Sequence, residues 1–186
     1  MEKYSLVCIF PLNESLLHRR HEMKKVAIVM GSASDLGVVE KAMTTLDEFG
    51  VEYEVHVFSA HRTPAEAREL AVTAREKGFG VIIAAAGMAA HLAGAMAAGS
   101  TLPVIGIPVA AKYLDGMDAL LSTVQMPTGL PVATVAVNGA ANAAILAVQM
   151  LSIESKELAD KLDAHRAAGA EKVLAADREV AAKYNK

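Results

Sequence analysis

From Lys25 onward, short apolar runs alternate with longer segments whose apolar residues recur every three or four positions, and that alternation leaves few folds open. Val26 to Met30 is an unbroken apolar run ended by Gly31, the pattern of a strand buried on both faces. Asp35 can cap the segment that follows, whose Val39, Ala42, Met43, Leu46 and Phe49 recur at helical spacing until Gly50 stops it. Val51, Tyr53, Val55 and Val57 then alternate strictly with Glu52, Glu54 and His56. One face of this second strand is wet, so the strand is expected at a sheet edge. Thr63-Pro64 opens a helix with Ala67, Leu70, Ala71 and Ala74 inward, and Gly78 ends it. Val81 to Ala85 and Val104 to Ile107 are apolar strands separated by an alanine-rich helix that begins near Ala89. Val132 to Val137 reads as a fifth strand and Ala140 to Leu151 as its helix. The remainder, Glu154 to about Tyr184, reads as a charged amphipathic helix or helix pair.

Strands that alternate with helices are joined by right-handed crossovers into a parallel sheet. The expectation is a three-layer α/β/α sandwich, a flavodoxin-like parallel sheet of order 2-1-3-4-5 with a C-terminal helix. In that order the switch point falls between strands one and three, and ligands bind at the carboxyl ends of strands beside it. Apolar residues make up 53% of the chain against 21% charged, with a net charge of only -3. A sheet covered on both faces accounts for part of that surplus, and an oligomer that covers the alanine-rich helices accounts for more.

Residues 1–23 do not share the pattern. The apolar run from Leu6 to Phe10 is broken by Pro11 and turns polar and basic through His18, Arg19, Arg20 and His21. It is too short for a membrane span and has no signal-peptide form. We expect a disordered extension there and a single α/β catalytic domain over 24–186. The sequence pI near 6.1 lacks the basic surplus that phosphate neutralisation requires, so nucleic acid is not expected as a partner. Four Phe, four Tyr and no Trp leave little to stack on bases or on a flavin ring. The single Cys8 excludes an intramolecular disulfide and a multi-cysteine zinc site, which suits the cytoplasm.

Three loops fall at the expected carboxyl edge. The first, Gly31-Ser32-Ala33-Ser34-Asp35, combines a glycine turn, two hydroxyls and the free N–H groups of a helix start, an anion-binding combination. Asp35 suits ribose hydroxyls better than phosphate, and Ser34 and Asp35 can equally do no more than cap the helix. The second loop is Ser59-Ala60-His61-Arg62-Thr63-Pro64. Arg62 offers a planar fork for phosphate or carboxylate, and His61 gives and takes a proton near neutral pH. A lone His-Arg pair is usually a surface feature; its place beside the switch point favours function. The third loop runs from Ala86 and Gly87 through Met88, Ala89, Ala90, His91 and Leu92 to Gly94, where small residues permit close backbone approach. His91 can donate to a ligand or be a packing histidine. Gly106-Ile107-Pro108 after strand four can close the pocket from the side. Two edge histidines without carboxylate or cysteine neighbours make a weak metal site, none is expected, and neither a Walker loop nor a dinucleotide fingerprint is present. The reading is an anion pocket with one acid–base group and no cofactor.

These motifs resemble a known family. Gly-Ser-Ala-Ser-Asp at 31–35, Ser-Ala-His-Arg-Thr-Pro at 59–64 and Ala-Ala-His-Leu at 89–92 look like the signature loops of the N5-carboxyaminoimidazole ribonucleotide mutases. Gln125-Met126-Pro127 and Asn138-Gly139-Ala140-Ala141-Asn142-Ala143 match later landmarks, and the resemblance runs from about Lys25 to Leu174. It implies a cofactor-free, metal-free cytoplasmic isomerase of purine biosynthesis, usually a homo-octamer. Its substrate is a small ribonucleotide whose carboxylate moves from the exocyclic nitrogen to ring carbon 4. By this resemblance His61 is the general acid and base, Ser32, Ser34 and Ser59 with Arg62 hold phosphate, and Asp35 holds ribose. Gly31, Ala60, Gly87, Ala89, Ala90, His91 and Leu92 complete the substrate site. Relatives carry glycine at Met88 and proline at Ala93, so the third loop is expected to differ somewhat, with Met88 narrowing the entrance. Two other readings stand beside this one: a direct aminoimidazole ribonucleotide carboxylase using carbon dioxide, and a non-catalytic flavodoxin-like module for a nucleotide or flavin.

Overall fold

The structure, a computed structural model, describes residues 23–185. The extension expected over the first residues, with Cys8, His18 and His21, lies outside the described residues apart from Met23. Five parallel strands form one sheet in the order β2-β1-β3-β4-β5. They are β1 (Lys25–Met30), β2 (Tyr53–Val57), β3 (Phe79–Gly87), β4 (Val104–Val109) and β5 (Ala133–Thr134). The helices are α1 (Leu36–Phe49), α2 (Pro64–Thr73), α3 (Leu92–Gly99), α4 (Met117–Val124), α5 (Ala140–Ser152) and α6 (Lys156–Tyr184).

Two apolar cores, one on each face of the sheet, make three layers. Val26, Ile28 and Met30 of β1 join Ile83, Ile105 and Ile107 beneath α1, α5 and the start of α6. Ala27 and Val29 point the other way, with Ile82, Ala84 and Val104, beneath α2 and α3. Both faces of β1 and β3 are therefore dry, which is why their sequences are continuous apolar runs. Fully burying each of these Val or Ile side chains contributes about 1.5–3 kcal/mol, so the central strands anchor the domain.

The edge position expected for the second strand holds, but its apolar side is not covered as alternation suggests. Val55 is 37% exposed and Val57 50%. Helix α1 packs extensively on α5, over the middle of the sheet, and leaves those two side chains open.

The structure departs from the sequence reading in the second half of the chain. The fifth strand, expected over Val132–Val137, is reduced to Ala133–Thr134. Gly106 and Pro108 face it from β4: their carbonyls accept from Val135 and Asn138 N–H at 3.1 and 2.8 Å. Proline has no N–H to return, so the ladder ends there. Gly106, Ile107 and Pro108 lie inside β4, buried, and do not close the pocket as expected. Helix α3 begins at Leu92 rather than near Ala89, because residues 88–91 form tight turns. Helix α4 was not expected; its turn-rich approach, Leu114–Gly116, hides the pattern. The terminal segment is one continuous helix of 29 residues.

Gly106 is where α4 approaches the sheet most closely. A Cβ there would run into Thr123 Cγ2, with Val132 Cγ1 at 3.0 Å and Ala93 Cβ at 3.2 Å. Thr123 is buried and tied by its hydroxyl to the Ala119 carbonyl at 2.8 Å, so it cannot swing away freely. Gly106→Ala is therefore expected to cost about 1–3 kcal/mol, read as a lowered midpoint in thermal or urea unfolding.

Candidate active site

Parallel register brings three strand ends close together: Met30 of β1 pairs with Val57 on one side and with Ala85, two residues before the end of β3, on the other. The chain leaves each strand at that edge, and the three loops meet there. Loop one turns into a single 3₁₀ turn, Ala33–Asp35, before α1. Ser32 caps it: its Oγ accepts from Ser34 N–H at 3.3 Å and lies 2.9 Å from Ser34 Oγ. Ser34 Oγ also lies 3.3 Å from Asp35 Oδ1, so its single proton serves one of the two acceptors at a time. The Ser32 proton stays free for a ligand when Ser34 donates to Ser32.

Asp35 stands before α1 but makes no capping bond with its side chain, so capping does not account for it. It is almost fully buried, at 9% exposure. Burial raises its carboxyl above the ordinary range, against the opposing pull of the Ser34 hydroxyl, the Ser32 backbone and the Arg62 charge. A carboxylate kept short of water in this way is an acceptor available to a ligand hydroxyl.

Loop two is wound around Ser59. Its N–H donates to Thr63 Oγ1 at 2.7 Å, and its Oγ accepts from His61 and Arg62 N–H at 3.3 and 3.2 Å. The Ser59 hydroxyl proton is not used by these bonds. Pro64 occupies the first turn of α2, where no N–H is needed. Arg62 then reaches back across the sheet, and its Nη2 donates to the Gly31 carbonyl at 2.7 Å. That bond ties loop two to loop one and leaves the other guanidinium donors for a ligand. His61 and Arg62 are exposed toward the cleft mouth.

Loop three is the tightest. Ala90 N–H donates to the Met88 carbonyl and His91 N–H to the Ala89 carbonyl, each at 2.8 Å. Two successive three-residue turns bring the chain into α3 with His91 just before its first residue. Behind it, a Cβ on Gly94 would lie 3.1 Å from Met126 Sδ and 3.3 Å from His91 Cε1. Met126 thus backs the start of α3 beside the His91 ring. Asn138 supports the neighbouring strand end: its Oδ1 accepts from Ala110 N–H at 2.9 Å.

The loops enclose a cleft of about 510 Å³, ample for a small phosphorylated ligand. Gly31, Ser32, Ser34 and Asp35 line it from loop one, and Ser59, Ala60, His61 and Arg62 from loop two. Gly87, Met88, Ala89, His91 and Leu92 line it from loop three, with Ala86 behind them and Ala111 after β4. The residue sequence of the chain between 25 and 172 matches the profile of the AIR carboxylase family. The chain belongs to that family. It is 57% identical over 143 residues to N5-carboxyaminoimidazole ribonucleotide mutase of Bacillus subtilis, covering 76% of this chain and 88% of the relative. The Pyrococcus abyssi protein of that name is 55% identical over 144 residues, covering 77% and 83%. The crystal structure of Treponema denticola PurE superposes with a TM-score of 0.74 at 29% identity, over 87% of this chain and 98% of that one.

Within the family's loops, the structure brings together every expected site residue except Ala90. That side chain is 1% exposed and turned into the core, and the Ala90 carbonyl lies 3.5 Å from Thr123 Oγ1. Ala86, read as the first residue of loop three but given no site role, lines the cleft too, and Ala111 was not expected there. Ala111 lies two residues beyond the buried run of β4 at the carboxyl edge, and that position was the available signal. The remaining described histidines are elsewhere: His56 stacks on Phe58 on the edge strand, and His165 packs on Phe49. Among the described residues no group of three His, Cys, Asp or Glu gathers as metal ligands.

Asp35 yields a pH prediction. Its folded-state pKa lies above its unfolded value near 3.8, so the folded state holds the proton more tightly. The cost of burying the carboxylate is absent below the unfolded pKa and appears as pH rises through the folded one. Asp35→Asn is therefore expected to raise the melting temperature near pH 7, by roughly 2–4 °C for each kcal/mol of relief. The gain should shrink toward zero as the scan moves below pH 4, and a gain independent of pH would contradict the assignment.

Proposed function

We propose that this chain converts N5-carboxyaminoimidazole ribonucleotide to 4-carboxy-5-aminoimidazole ribonucleotide in purine biosynthesis, an isomerisation that needs no cofactor. The observation that supports the reading is a single cleft lined by His61 and Arg62 from one loop and by Ser32, Ser34 and Asp35 from another, residue types suited to proton transfer and to holding a phosphorylated sugar. The names of the relatives support it, since proteins 51–57% identical to the chain are called by that activity. Residues 24–186 then act as one catalytic domain.

In this reading the phosphate is held by the free hydroxyls of Ser32, Ser34 and Ser59 together with the Arg62 donors. Asp35 accepts from the ribose hydroxyls. The backbone of Gly31, Ala60, Gly87 and Ala89, with His91 and Leu92, shapes the base end of the cleft. His61 protonates the exocyclic nitrogen as its bond to the carboxylate breaks, and the bonding pair stays on nitrogen. Carbon dioxide is released beside a ring whose carbon 4 is now electron-rich. Carbon 4 attacks it, and the proton displaced from carbon 4 returns to His61. One proton leaves the imidazole and one comes back, so the enzyme ends as it began. A single group that acts as acid and then base works best with a pKa near the operating pH, which favours histidine.

The competing reading, direct carboxylation of aminoimidazole ribonucleotide by carbon dioxide, differs in its substrate. Turnover of the N-carboxylated ribonucleotide at low bicarbonate supports the mutase, and dependence on added bicarbonate supports the carboxylase. His61→Asn, on an exposed loop, is expected to leave the fold and substrate affinity near normal and to lower kcat by about 10²–10⁴. Activity close to that of the parent would remove the proton carrier.

The same reading makes the protein a cytoplasmic homo-octamer. Apolar side chains left open on the protomer support assembly: Met117, Leu121 and Val124 on α4, and Val173, Leu174 and Val180 on α6. Beyond Leu162 no residue of α6 is buried. Light scattering in dilute buffer is expected to give eight times the 19.5 kDa chain mass, and a monomer would contradict the assembly.

A further inference from the structure

Four non-glycine residues among those described adopt positive φ, and Met88 is the one that lines the cleft. Its φ of 55° is a conformation that crowds the Cβ of any L-residue. The surroundings enforce it. The Met88 carbonyl is held by Ala90 N–H at 2.8 Å. The preceding Gly87 is pressed against β4, where a Cβ would lie 3.0 Å from the Val109 carbonyl oxygen. Backbone strain held in place by its neighbours at a ligand cleft points to a use.

The side chain at this strained position is unlike the rest of the lining, which is small or polar apart from Leu92. Leu92 is buried at 2% exposure, whereas Met88 stands 55% exposed at the rim. It is the long, flexible, apolar group at the mouth, and methionine adapts its shape readily to what it covers.

Given the proposed isomerisation, the reaction has one point of vulnerability. Between the break at nitrogen and the bond at carbon 4, the transferred group is free carbon dioxide, uncharged and small. Hydrogen-bond donors that grip phosphate have little hold on it, so retention rests on excluding exchange with solvent. We propose that Met88 is the closing residue of the cleft: its thioether side chain folds over the bound ribonucleotide and confines carbon dioxide until carbon 4 captures it. The side chain stands exposed at the cleft, and the small residues on either side, Gly87 and Ala89, leave room for it to move.

The test uses the full-length protein and unlabelled N5-carboxyaminoimidazole ribonucleotide in buffer equilibrated with carbon-13 bicarbonate and carbonic anhydrase. Mass spectrometry reads the label in the product carboxylate, which enters only when carbon dioxide has exchanged with solvent. Parent enzyme is expected to take up little label. Met88→Gly, which suits the left-handed backbone and so preserves the loop, is expected to raise the labelled fraction several-fold. Met88→Leu restores apolar bulk and is expected to return the fraction close to the parental value. Parental labelling in Met88→Gly would overturn the proposal. So would equal labelling in the glycine and leucine variants, since side-chain bulk would then be irrelevant. Failure of the parent to isomerise the substrate at all would be seen before any variant is made, and would remove the activity and this role together.

Discussion

The site depends on parallel register between three adjacent strands. Because Met30 is level with both Val57 and Ala85, the chain emerges from β1, β2 and β3 close together, and three loops distant in sequence share one cleft. The backbone carries the alignment onward past the strand ends: Gly31 N–H donates to the Ala85 carbonyl and Phe58 N–H to the Met30 carbonyl, each at 3.0 Å. A slip of one residue would turn Val26, Ile28 and Met30 from one core to the other and carry Gly31 and Ser32 out of line with Ser59. Buried apolar packing on both faces resists that slip. Core packing and active-site geometry are thus the same constraint seen at two levels.

That dependence explains how much could be seen in the sequence. Unbroken runs such as Val26–Met30 and Val81–Ala85 mark strands buried on both faces, and the alternation around Tyr53 marks the edge, so the sheet order follows. Once the order is known, loops one to three are located by topology alone, before any motif is weighed. What remained hidden lies where local chemistry overrides the pattern. Pro108 cuts the fifth strand short by withholding a donor, an effect on its neighbour that leaves no trace in residues 132–137. Helix α4 carries its large apolar residues Met117, Leu121 and Val124 on an open face and buries only small ones such as Ala119, and left-handed Leu114 and Asp115 precede it, so neither a core-facing stripe nor a helix start stands out. Ala90 falls inside the motif yet faces the core, because two successive tight turns rotate it away from the ligand side.

The loops share a division of labour between backbone and side chain. In loop two, the Ser59 oxygen gathers two N–H groups and fixes the positions of His61 and Arg62, while its own proton stays available. In loop one, Ser32 does the same for Ser34. A side chain that orders the loop by accepting can still offer its hydrogen outward, so the same residue serves structure and recognition. The Arg62 bond to the Gly31 carbonyl adds a cross-link between two loops that the sheet beneath them already holds side by side. It also fixes one edge of a guanidinium whose remaining donors then point with less freedom.

Two features of the cleft are unfavourable to the folded chain taken alone: a carboxylate at Asp35 deprived of water, and a left-handed methionine at position 88. Neither is needed to close the sheet or to complete a core. Natural sequences keep such costs mainly where function offsets them, and both residues here line the cleft. The left-handed pair Leu114–Asp115 breaks the same local rule but lies away from the cleft lining, beside the exposed Tyr113 and Met117. The same backbone anomaly thus sits in two different neighbourhoods: the polar and small side chains of the cleft around Met88, and open hydrophobic side chains around Leu114.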